Sequence, residues 1–126
     1  MKIDTKPLNI GKETIEVDGT WSQQDKADEL MIASLETQTN KGMIEALKAN
    51  RKFRQKAMEF FKDILKLTDK EVAKIYENIS SSVLNLYVSY ACGIVEGAQN
   101  GSFAEFEKAV KEEAAPKEQS EKSKKQ

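Results

Sequence analysis

The side chains able to do covalent or acid–base chemistry here are few: one thiol, Cys92, and scattered carboxylates, with no histidine in 126 residues. Histidine is the side chain that titrates nearest neutrality and the commonest metal ligand. Its absence removes Ser-His-Asp and Cys-His nucleophile activation and most zinc sites together. A reactive thiolate needs an accessible, electropositive setting. Cys92 instead falls inside an apolar stretch and reads as a small core hydrophobe. The carboxylates of Asp28/Glu29, Asp69/Glu71 and Glu112/Glu113 fall on polar helix faces, whereas acid–base catalysis needs two carboxyls held in different environments within a cleft. Asp-rich calcium loops, phosphate-cradling glycine loops and paired-cysteine zinc spacings are missing from the sequence. A non-enzymatic protein without cofactor or metal is expected.

Two further clusters invite a binding role. Lys48, Arg51, Lys52, Arg54 and Lys56 form the local charge excess of the folded part, and most share one helix face from which they could contact phosphates. A nucleic-acid-binding accessory protein is therefore one alternative. Against it, 20 Lys+Arg balance 21 Asp+Glu to a net charge of −1. Such a chain has no global field to attract a polyanion, and exposed aromatics do not interleave the basic run. A solvated helix face is the better reading, and nucleic acid is not an expected partner. Gly93 and Gly97, four apart, allow a backbone to approach closely, which reads as ordinary helix packing.

With 33% charged residues and a mean hydropathy of −0.62, one soluble domain is expected, long enough to fold without disulfide or metal. The lone cysteine suits a reducing compartment. The start, Met1-Lys2-Ile3-Asp4-Thr5-Lys6-Pro7, lacks the apolar stretch of a secretory signal. No apolar run reaches the ~20 residues that span a bilayer. A cytoplasmic protein with no membrane partner is expected.

The elements that must position any site follow from periodicity. Leu8-Asn9-Ile10 and Thr14-Ile15-Glu16-Val17 alternate apolar with polar around Gly11-Lys12, which predicts a hairpin. Trp21, the sole tryptophan, reads as a core plug for it. Ser22 and Asp25 have N-cap spacing, and Ala27, Leu30, Met31, Ser34 and Leu35 then share a face. A break is expected over 37–42. The next helix, about Met43 to Leu67, carries one stripe through Ala46, Ala49, Phe53, Ala57, Phe60, Ile64 and Leu67. A neighbouring stripe runs through Leu47, Met58, Phe61 and Leu65. Together they are wider than one partner helix covers: either two neighbours bury them or another chain shares them. Thr68 and Glu71 have capping-box spacing, with Val72, Ile75, Tyr76 and Ile79 predicted inward. Val83 to Ala98 is apolar nearly all round, hence a buried helix. Ser102 with Glu105 opens a last helix bearing Phe103, Phe106 and Val110. The polar end beyond Pro116 cannot bury enough apolar area to fold. The predicted fold is mainly α: a hairpin arm over 1–18, a helical domain over 19–114 and a disordered charged tail over 115–126.

This layout resembles the small tail assembly chaperones of long-tailed phages and prophages of Gram-positive bacteria. The matching stretch runs from Ala57-Met58-Glu59-Phe60-Phe61-Lys62-Asp63-Ile64-Leu65 through Val83-Leu84-Asn85-Leu86-Tyr87-Val88-Ser89-Tyr90, between the hairpin and the polar tail. The likeness extends over most of residues 8 to 98. The resemblance implies a protein of the bacterial host's cytoplasm that coats the tape-measure protein through hydrophobic surface, recruits tail-tube protein and self-associates. Phe53, Met58, Phe61 and Leu65 are the expected partner-binding anchors, with intramolecular core as their other reading. A structural head–tail connector component is the remaining alternative.

Overall fold

A computed structural model of the chain describes residues 1–39 and 42–113. The expected tail over 115–126 lies outside them. Two short strands, β1 (Lys2–Asp4) and β2 (Thr14–Glu16), precede four helices: α1 (Trp21–Glu36), α2 (Met43–Leu65), α3 (Asp69–Asn78) and α4 (Ser81–Val95). A fifth helix, α5, is described over 103–113. The mainly α fold with an N-terminal hairpin is as expected.

The hairpin's first strand is not where alternation placed it. β1 pairs antiparallel with β2 in the register Lys2 to Glu16, Ile3 to Ile15 and Asp4 to Thr14. Leu8 belongs instead to a 3-10 turn over Lys6–Leu8, which Pro7 favours and which ends at Asn9 in the left-handed region, φ 54°. Proline fixes φ and withholds an amide, which suits the first turn of a helix rather than a paired strand. Ile3, Leu8 and Val17 insert into the helical core, as so short a sheet requires.

Helix starts follow local capping chemistry. Thr20, rather than Ser22, caps α1 by accepting the Gln23 amide. That start sets the phase: Trp21 lies nine residues before the buried Leu30, about two and a half turns, on the opposite side of the helix. Trp21 is accordingly 85% exposed and plugs nothing. Leu35, also expected inward, is exposed. Thr68 and Glu71 form the expected capping box of α3, Ser80 caps α4, and Ser102 accepts the Glu105 amide at the start of α5. α2 ends at Leu65 rather than Leu67, because Lys66 turns left-handed, φ 55°.

The core is aromatic. Phe61, Tyr87, Tyr90 and Phe103 stack edge-on or tilted in sequence, with centroids 5.5–5.7 Å apart. Tyr87 and Tyr90 are both fully enclosed, and each hydroxyl has a partner. Tyr87 donates to the Asp4 carbonyl at 2.6 Å, while Tyr90 donates to the Gly101 carbonyl and accepts the Asp4 amide. The buried Asp4 carboxylate accepts the amides of Lys6 and Phe103. The hairpin is thereby tied to α4 and to the positive end of α5, where a carboxylate is favoured.

Candidate functional site: an apolar cleft and the uncovered start of α2

The site is built on α2 because that helix outruns its neighbours. Its 23 residues span about 35 Å, and the 15 of α4 about 22 Å, at 1.5 Å per residue. The buried residues of α2 begin at Ala57. Before that point only the side facing α1 is sheltered, through small seam residues such as Ala46 and Ala49. Outside the seam Lys26 meets Asp63 at 3.2 Å, Lys52 meets Glu36 at 3.7 Å and Lys56 meets Glu29 at 3.9 Å. These pairs are solvated and each is worth ~0.2–1 kcal/mol at most.

The adjoining side of α2 carries Met43, Leu47, Arg51, Arg54, Met58, Phe61 and Leu65, spaced three or four apart as one continuous stripe. The stripe passes through three environments. Phe61 and Leu65 are core. Met58 and Arg54, with Phe53 beside them, line a cleft of about 470 Å³ closed by Tyr76 and Ile79 of the α3 end and by Ser81, Leu84, Asn85 and Val88 of α4. Beyond Asn50 nothing lines it. Met43 is 80% exposed, Ile44 69% and Leu47 61%, with Ile32 and Leu35 also exposed on α1.

The expected anchors therefore divide. Phe53, Met58 and Phe61 come together at the cleft, with Phe61 forming its fully buried floor. Leu65 belongs to the core. Tyr76, expected inward, is half exposed at the cleft rim because it sits about 100° around α3 from the buried Ile75. Met43 and Ile44 were not singled out from sequence. The signal that identifies them is a length comparison: the apolar stripe of α2 is longer than any helix available to cover it.

The remaining chemistry-bearing groups are tied into structure. Cys92 is buried, its thiol pointing to the Ala27 carbonyl at 3.9 Å. Burial, and then the nearby Glu96 and Asp28 carboxylates, push the thiol up to about 12. Glu96 is raised above the usual carboxylate range by a hydrogen bond shared with Asp28, by burial and by that residue's charge. Gly93 takes its own chain's return: a Cβ there would meet the Gln99 Cβ at 2.9 Å. Among the described residues no cluster could hold a metal ion, and no helix is long and apolar enough to cross a membrane.

The described surface thus combines an open apolar cleft with exposed aliphatic residues along one helix. A family model described as phage tail assembly chaperone proteins, TAC, matches residues 1–113. The chain belongs to the phage tail assembly chaperone family. Comparison with curated proteins and with solved structures gave no match.

Proposed function

We propose that this chain is a non-enzymatic chaperone that keeps the tape-measure protein soluble in the bacterial cytoplasm while the tail assembles, and passes it to tail-tube protein. The observation that carries the reading is the run of exposed Met43, Ile44 and Leu47 into the cleft lined by Phe53, Met58 and Phe61. A contiguous apolar surface of this kind is uncommon on a monomer and marks a partner site. A groove along a helix suits an amphipathic client helix laid into it. Self-association through the same surface would shield it when no client is present. The basic run supports nucleic-acid binding poorly, since Lys52 and Lys56 are paired with α1 carboxylates.

Co-expression of this chain with its tape-measure protein tests the proposal. The client is expected in the soluble fraction, and on an affinity tag placed on this chain, only when the two are made together. A client equally soluble alone contradicts the role.

A further inference from the structure

The stripe on α2 is not uniformly apolar. Between Leu47 and Met58 it carries Arg51 and Arg54, both exposed. Neither is ion-paired among the described residues. Among the described residues Arg54 is also the one charged residue lining the cleft. A ligand helix lying along the stripe must pass over both guanidiniums. An occupant without carboxylates would desolvate them unpaired, at considerable cost. One with carboxylates at those positions gains charge-assisted, bidentate hydrogen bonds.

Resting on the proposed function, we propose that the segment this surface binds is an acidic amphipathic helix. Apolar residues at helical spacing meet Met43, Leu47 and Met58, and Glu or Asp on the adjoining positions meets Arg51 and Arg54. A second copy of this chain fits the stripe less well, because it would set the same two arginines near each other in a two-fold pairing. A polyanion such as nucleic acid would satisfy the arginines and leave Met43, Ile44 and Leu47 in water.

The probes are two synthetic helical peptides with the same leucine stripe, flanked by glutamate in one and by lysine in the other. Anisotropy titrations with the whole chain are expected to favour the glutamate peptide by roughly tenfold or more, with binding weakening as salt is raised. The double substitution R51E/R54E changes solvent-exposed positions, so its circular dichroism should match the wild type while its peptide preference reverses. Equal affinity for the two peptides, no binding of the glutamate peptide, or an unchanged preference in R51E/R54E would overturn the inference. So would tighter binding of a single-stranded oligonucleotide, or a dimer that the glutamate peptide cannot dissociate. A tape-measure protein that stays soluble with wild type and with R51E/R54E alike removes this inference while leaving the chaperone role standing.

Discussion

The Asp4 carboxylate accepts the backbone N–H of Phe103 at 3.0 Å, joining residues 99 apart in the chain. Through the same residue's backbone, Tyr87 and Tyr90 fasten β1 to α4. The whole cleft depends on this junction indirectly, since α4 forms its far wall. Asp4→Ala leaves two amides without their acceptor in a buried setting and is expected to cost about 2–4 kcal/mol. Urea unfolding measures it. Loss of less than ~1 kcal/mol would mean that water replaces the carboxylate freely.

Alkaline stability should track the two buried phenols. Burial raises both Tyr87 and Tyr90 above their ordinary value of 10.0, so the neutral form is the one the fold holds. For a group raised in the folded state, stability is complete below the unfolded value and is lost as pH rises past it. Unfolding free energy should therefore be flat below about pH 8. It should begin to fall near about pH 9 as Cys92, also raised in the fold, ionises in the unfolded chain, and fall more steeply above about pH 10 as the phenols follow. Tyr87→Phe should lower stability by about 1–2 kcal/mol near neutrality, through the orphaned Asp4 carbonyl, and flatten the alkaline decline. An alkaline limb unchanged in Tyr87→Phe contradicts the assignment.

Cys92 should be inert in the native chain. With its thiol pushed up to about 12 and its side chain enclosed, alkylation at neutral pH requires opening of the fold. The labelling rate is expected to rise with denaturant in step with unfolding. Rapid labelling without denaturant would place the thiol at the surface.

Sequence alone was most informative where structure is local. The Thr68–Glu71 capping box and the Ser102 start of α5 each depend on neighbours a few residues away, and each is present, whereas Gly93 faces its own chain's Gln99 rather than a packed helix. Trp21 was misplaced because Thr20 rather than Ser22 caps α1 and draws Trp21 into the helix, and Leu35 because the buried face is centred on Ala27, Leu30 and Ala33, about 140° around the helix from it. β1 was missed because Lys2-Ile3-Asp4 alternates no better than Leu8-Asn9-Ile10. What separates them is the Pro7 turn and the Tyr90 hydroxyl that receives the Asp4 amide from far along the chain. For the site, Phe53 was identifiable on one apolar stripe of α2 and Met58 and Phe61 on the stripe beside it. Which part of that stripe stays uncovered depends on how far α4 reaches, a tertiary property.

The central claim is that the uncovered start of α2 is the client surface, and the double substitution Met43→Ser with Leu47→Ser tests it most directly. Both side chains are exposed, so the unfolding midpoint should move little, within ~0.5 kcal/mol per site. Co-expressed tape-measure protein should nevertheless shift from the soluble fraction to the pellet. A variant equally folded that still holds the client in solution as well as wild type does would contradict the account.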